Sequence, residues 1–189
     1  MRKLSVFNTV SLDGYFTDLN NDMSWAHPNR NDSEWNDFVA GNASGNGVLL
    51  FGRVTYQMMV SFWTTPQAAQ MMPKVAEGMN RSQKVIFSRT LAQADWQNTT
   101  LVKGDLANEV RNMKEQAGNG MVILGSGQIV AQLTQEGLID EYQIVVAPIV
   151  IGKGRTLFDG VQRKVGLKLE KSRTFKNGCV FLTYHLSGV

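Results

Sequence analysis

Apolar positions along this chain come in short runs whose period changes from segment to segment. Lys3–Val10 alternates, as a strand with one face in a core does. Val48–Phe51, Val85–Phe87 and Met121–Leu124 are unbroken apolar runs, the pattern of strands covered on both faces, and Thr99–Val102 reads as a further strand. Helical spacing lies between them. Ser33 predicts a cap for Glu34–Ala40, with Gly41 to end it; another helix starts at Arg53; Gln67–Asn80 is a methionine-rich helix interrupted by Pro73. The stripe Met71, Met72, Val75 and Met79 predicts core packing. Asp105 is the expected N-cap of Leu106–Gln116, with Gly118 marking its end, and Gln128–Glu136 follows. In the last third, Tyr142–Ile151, Leu167–Phe175 and Cys179–Leu186 are strand-like, the last two joined by a two-residue Asn177-Gly178 turn. The pattern predicts one domain over residues 1–189: an α/β three-layer sandwich, its mostly parallel mixed sheet finished by an antiparallel hairpin.

Three predicted strand ends carry groups suited to phosphate. The first helix of the Val48–Met58 stretch begins with Gly52, Arg53 and Thr55. Backbone N–H groups of a helix's first turn lack intrahelical partners, the aligned peptide dipoles add positive potential, and glycine admits a close approach. The second junction, Gly125-Ser126-Gly127-Gln128-Ile129, has the same form but is not the G-x-G-x-x-G dinucleotide fingerprint, because Val130 stands at the third glycine position. Between them, Ser88-Arg89 ends a strand with a hydroxyl and a guanidinium, which suits a phosphate monoester. Three such ends predict one extended phosphorylated ligand.

Composition narrows the partners. Hydrophobic residues make up 43% and charged residues 19%, an ordinary soluble balance, and the formal charge is +3 with Lys and Arg scattered. Without a basic run, nucleic acid is not expected. No apolar run approaches the ~20 residues of a membrane span and no leader pattern is read, so a cytoplasmic protein is expected. Cys179 lies in an apolar run and reads as a small buried hydrophobe; with one Cys and two distant His (27 and 185), no metal site is expected.

The ordered segments SLDGYFT (Ser11–Thr17), MSWAHP (Met23–Pro28), FGRVTY (Phe51–Tyr56), FSRT (Phe87–Thr90), LGSGQI (Leu124–Ile129), GLIDEY (Gly137–Tyr142), Ala147-Pro148 and IGKGRTLF (Ile151–Phe158) resemble the dihydrofolate reductase-like superfamily. Within it the chain is most similar to proteins related to the C-terminal reductase domain of bacterial riboflavin biosynthesis, from about Arg2 to Leu186. The resemblance implies NADPH. Gly52, Arg53 and Thr55 would hold the phosphate bridge, Ser88 and Arg89 the 2′-phosphate, and Gly125, Ser126, Gly127, Gln128 and Ile129 the pyrophosphate and nicotinamide ribose.

On the substrate side, Ser11–Gly14 resembles the loop beside the nicotinamide, making Asp13 a candidate for substrate binding or proton delivery; an Asp-Gly pair is also a common turn. MSWAHP resembles the loop that closes over the nicotinamide, with Met23 and Trp25 at matching positions, and the polar stretch Leu19–Asp32 is a candidate lid. Glu34 and Asp37, i and i+3 on one helix, are candidates for the carboxylate that pairs with a pterin ring, or are solvated helix charges. Trp35, Phe38 and Trp63 either line the substrate pocket or pack the core. The expected function is NADPH-dependent reduction of a pterin- or pyrimidine-like heterocycle, or of an aminopyrimidine ribose derivative as in 5-amino-6-(5-phosphoribosylamino)uracil reductases. The alternatives are NADPH binding without turnover and authentic dihydrofolate reduction. Apolar residues on the Leu167–Leu186 hairpin predict a homodimer.

Overall fold

A computed structural model describes residues 1–26, 32–43 and 45–187. The chain runs β1 (Leu4–Ser11), β2 (Tyr15–Thr17), a 3₁₀ turn (Ser24–Ala26), α1 (Ser33–Ala43), β3 (Val48–Gly52) and α2 (Arg53–Trp63). It continues through α3 (Pro66–Met71), α4 (Pro73–Arg81), β4 (Lys84–Phe87), β5 (Thr99–Val102), α5 (Leu106–Glu115), β6 (Met121–Leu124) and α6 (Gly127–Gln135). The last elements are β7 (Glu141–Ala147), β8 (Arg155–Thr156), β9 (Leu167–Thr174) and β10 (Val180–Leu186).

Eight strands form one sheet in the order β5-β4-β3-β6-β1-β7-β10-β9. The six from β5 to β7 are parallel, and β10 and β9 add antiparallel to β7. The two-residue period sorts the core into layers. Leu4, Val6, Val48, Leu50 and Ile123 face α5 and α6, whose Val110, Val130 and Leu133 are fully buried. Leu49, Phe51 and Ile86 face the opposite way, against Tyr56 of α2 and Val75 and Met79 of α4. Beyond them, Trp35 and Phe38 of α1 stack on Phe175 and Phe181 of the C-terminal hairpin, with ring centroids 4.9–5.1 Å apart for three of these pairs. This is the fold class expected from the sequence.

The departures are local. The strand expected to reach Ile151 ends at Ala147, because Pro148 has no N–H to continue the ladder. Gly41 lies inside α1, whose cap is Asp32: its Oδ1 accepts from Trp35 N at 3.1 Å. The hairpin turn has three residues, Lys176–Gly178. Gly178 is left-handed (φ +86) and donates to Phe175 O, while Phe175 and Cys179 pair across the turn. Pro73 splits the methionine-rich segment into two helices, which leaves Met71 exposed while Val75 and Met79 are buried. The strands β2 and β8, too short to show any periodicity, pair into a second small sheet. Among the described residues, no helix is long and apolar enough to cross a membrane.

Candidate cofactor cradle at the carboxyl edge of the sheet

Parallel strands end on one edge, so β4, β3, β6 and β1 present their following residues side by side. Along that edge stand Ser88-Arg89, Gly52-Arg53, Gly125–Gln128 and Leu12-Asp13. Three interstrand steps separate the first from the last, about 14 Å. In open α/β sheets this crevice is where ligands bind. The residues singled out for the phosphate ligand are therefore neighbours, drawn together from positions 52 to 129.

The two central junctions are tied to each other. Gly52 N donates to Ser126 Oγ at 2.8 Å, and Ser126 N and Oγ both donate to Thr55 Oγ1, at 3.0 and 2.9 Å. Ser126 sits in the left-handed region (φ 59, ψ 57), and so does Gly125 (φ +58), where a Cβ would come within 3.0 Å of Thr55 Cγ2. Only glycine fits that position without moving Thr55. Thr55 is buried, with its hydroxyl engaged by Ser126, so it locks the two junctions rather than facing the crevice.

Neither helix that starts here is capped by its N-cap side chain: Gly52 has none, and Ser126 points to Thr55 and Leu124. Ile129 N bonds Ser126 O, whereas the first two N–H groups of α6, on Gly127 and Gln128, precede the first intrahelical acceptors. Arg53 is exposed and donates to Gln57 Oε1 at 3.1 Å, within its own helix. One strand further out, Ser88 Oγ accepts from Leu91 N and Thr90 N at 3.0 and 3.3 Å, shaping the turn that carries exposed Arg89. Positive potential, unpaired donors and two guanidinium groups thus converge on one edge. That is what a nucleotide with a diphosphate bridge and a further phosphate requires, so the residues fit NADPH.

Two contributors were not singled out from sequence. Asn8, on β1, is 4% exposed and donates from Nδ2 to Gly125 O at 3.4 Å. Its signal was present: it falls in phase with Leu4 and Val6, a polar residue on the buried face of a strand. Phe16 of β2 packs under the glycine turn, 3.5 Å from where a Gly127 Cβ would be and 3.8 Å from that of Gly125. Nothing in its spacing marked it.

The substrate-side candidates are dispersed. Asp13 accepts from Gly152 N at 2.8 Å and Ile151 N at 3.2 Å, tying the turn after β1 to the segment after β7. A hydrogen bond with the Ser11 side chain, joined by these two backbone donors, holds its carboxyl below the usual aspartate range. These contacts give Asp13 a structural role in the turn, beside the substrate-binding or proton-delivery role expected from the sequence. Trp25 donates from Nε1 to Asp22 O and packs beside the α1 aromatic cluster. Trp63 closes α2, about 15 Å from its start by helix rise, with Nε1 on Met59 Sδ and its carbonyl bonded by Asn80. It is half-buried against the core cluster of β3, α2 and α4, at the end of α2 remote from the crevice.

Glu34 and Asp37 do not act together. Glu34 pairs with Arg173 at 3.0 Å, and that guanidinium holds its carboxyl below the usual glutamate range. Asp37 opens into a separate cleft of about 410 Å³ between α1 and α4, beside Lys74, Glu77 and Arg81. That places Asp37 away from the cradle. Trp35 and Phe38 are core. Cys179 is buried, and burial pushes its thiol pKa up. His27, Pro28 and much of the proposed lid lie outside the described residues.

The family model described as the RibD C-terminal domain matches residues 2–181. The chain is 25% identical over 187 residues to the Bacillus subtilis (strain 168) protein YyaP, covering 99% of this chain and 96% of YyaP. It is similar to a solved structure of a Shewanella sp. PV-4 protein named for riboflavin biosynthesis, with a TM-score of 0.75 at 25% identity, over 98% of this chain and 99% of that one. A Thermotoga maritima diaminohydroxyphosphoribosylaminopyrimidine deaminase/5-amino-6-(5-phosphoribosylamino)uracil reductase shares the fold, with a TM-score of 0.69 at 14% identity. That match covers 98% of this chain and 57% of the Thermotoga protein.

Proposed function

The chain belongs to the RibD C-terminal domain family, and from that premise we propose that it is an NADPH-dependent reductase of a pterin- or pyrimidine-like heterocycle, with an aminopyrimidine ribose derivative the favoured case. The observation that carries this reading is the pair of uncapped helix N-termini, α2 and α6, on adjacent strands of the carboxyl edge and one strand in from Arg89. Arg53 and the leading N–H groups of both helices would hold the diphosphate. Arg89 with Ser88 would hold the 2′-phosphate, and Gly125–Gly127 with Ile129 would wall the nicotinamide ribose.

Once bound, NADPH supplies the hydride. The protein's own task is to bind, orient and exclude water, which needs no nucleophile or metal-bound water. Thr55 and Ser126 fix the distance between the two anion-binding helix ends. Asn8 and Phe16 hold the glycine turn from beneath. Asp13 positions the Ile151–Gly152 segment, and the proton that accompanies hydride comes from water. The engagement of Glu34 by Arg173, with Asp37 turned to α4, favours a substrate that does not need a carboxylate from α1 and so disfavours dihydrofolate.

The test is titration of the purified protein with NADPH and NADH, followed by energy transfer from tryptophan to the nicotinamide. Saturable binding is expected, with NADPH preferred about 10- to 150-fold, the worth of one or two charge-assisted contacts. Lack of saturation would contradict the reading. Saturation without oxidation by aminopyrimidines, pterins, flavin precursors or quinones would instead favour a cofactor-binding protein without turnover.

The same reading includes a homodimer. Strand β9 is an edge exposed along its whole length, with Leu167 and Leu169 on its surface, a form that invites pairing with a second copy. Light scattering is expected to give about twice the 21.0 kDa chain mass; a particle of the chain mass rejects it.

A further inference from the structure

Far from the cradle, three side chains from three neighbouring strands aim metal-ligating atoms at one point: Glu141 at the start of β7, His185 near the end of β10 and Glu170 on β9. One ligand atom from each lies within 4.8 Å of the others. Strand register brings them there. His185 stands directly opposite Glu141, and Glu170 is the extra residue at the irregularity where the β9–β10 pairing shifts. Glu141 lies 29 positions before Glu170 and two of the three ligands are carboxylates, so the Cys and His count that argued against a metal could not reveal them.

The cluster is held from outside. His185 Nδ1 faces the Asp140 carbonyl at 3.3 Å, and Nε2 turns toward both glutamates, hydrogen-bonded to Glu170 Oε2 and 3.6 Å from Glu141 Oε2, so a cation entering the site takes the place of the proton between Nε2 and Glu170. Asp140 is itself fixed, its carboxylate taken by Lys114 Nζ and Leu4 N. Glu141 has Oε1 bonded by Gln143 Nε2, leaving Oε2 to face His185 at 3.6 Å. Two of the three ligands thus have one polar atom anchored to a partner outside the cluster and the other aimed into it. Orientation of metal ligands through their second atom is how protein metal sites are built. The three groups are partly exposed, so a cation and completing waters have access.

We propose that Glu141, Glu170 and His185 form a site for one divalent cation of the zinc class, Zn²⁺, Co²⁺ or Ni²⁺. One imidazole and two carboxylates suit these ions, with water filling the remaining positions. Glu141 lies six residues from the carboxyl end of β7, about 20 Å by strand rise. The ion therefore takes no part in hydride transfer. It clamps the edge strand β9 to β10 and β7.

The chelator-treated, full-length protein is titrated with Co²⁺ by calorimetry and visible absorption, and with Zn²⁺ while its thermal midpoint is followed. One site per chain is expected, with a midpoint that rises with Zn²⁺ concentration. Binding weakens at least about tenfold in Glu170→Gln and in His185→Gln, since each removes one of three ligands. It is unchanged in Glu34→Gln. Absence of saturable Co²⁺ binding, or equal binding by Glu170→Gln and His185→Gln, overturns the proposal. So do His185 ring signals in NMR that neither cation shifts or broadens, which would leave the cluster a plain ion pair.

Discussion

The two edges of the parallel sheet treat charge in opposite ways. At the amino edge two lysines are buried and their ammonium groups are saturated by the protein. Lys84 Nζ, 4.5 Å from the centre of the Trp96 ring, donates to the carbonyls of Met79, Asn80 and Ser82 at 2.8, 3.2 and 2.6 Å. Lys114 Nζ reaches Asp140 Oδ2 at 2.6 Å and Leu138 O at 2.8 Å, while Leu4 N donates to the same carboxylate oxygen. At the carboxyl edge the charges stand in water and two helix ends lack side-chain caps. Burying a charge without partners is costly, so the amino edge must complete itself in order to fold. The carboxyl edge leaves the first N–H groups of two helices without side-chain caps, as the proposed nucleotide site requires. The difference separates residues that hold the protein together from those that make it useful.

Changes at the two edges should therefore have separable effects. Asp140→Ala removes the carboxylate that Lys114 Nζ and Leu4 N share, leaving Lys114 only the Leu138 carbonyl. Because about a third of the Asp140 side chain meets water, the loss expected by urea unfolding is at the low end for broken buried pairs, about 3 kcal/mol, with NADPH affinity unchanged in the folded protein. Arg89→Ala is the mirror case: NADPH affinity falls about 10- to 150-fold, worth about 1.5–3 kcal/mol, NADH affinity stays put, and stability is unaltered. Thr55→Val joins the two categories. It leaves Ser126 N without its acceptor, costs about 1–3 kcal/mol, and weakens both nucleotides alike because the spacing of the two helix ends slackens.

Asp13→Asn is expected to leave kcat near wild type, whereas loss of a true proton donor would lower it about 10²- to 10⁴-fold. Titration adds further signals. Asp13 and Glu34 have carboxyls held low in the fold, so their contributions are complete above their ordinary values of 3.8 and 4.5 and disappear as pH falls through the lower folded values. Burial lowers Lys84 from 10.5 to about 8, so the unfolded chain binds more protons in that window, and stability rises with pH across it. A Lys84→Met variant should lose that slope.

The sequence made the cradle legible for a physical reason. Strand, glycine and helix start follow one another within a few residues at 48–58 and 121–130, and a parallel sheet puts all such ends on one edge. Asp105 as a cap and Pro73 as a break were equally local, and both stand in the structure. Long-range chemistry was not legible. The role of Thr55 depends on Ser126, 71 positions away, and Glu34 meets Arg173 across 139. Asp37 shares a helix with Glu34 but not its surroundings, because α1 packs on the hairpin along one side and on α4 along another. Trp63 shows the limit of residue type: an indole suited to a ring-binding pocket packs half-buried against the core, since helix length carries it to the far end of α2.

The most direct measurement is the affinity of wild-type and Arg89→Ala protein for NADPH and NADH by tryptophan-to-nicotinamide energy transfer. One cradle spanning β4, β3 and β6 predicts saturable NADPH binding in the wild type and a preference over NADH that collapses in the variant. Failure of the wild type to saturate, or a preference that survives removal of Arg89, would contradict it.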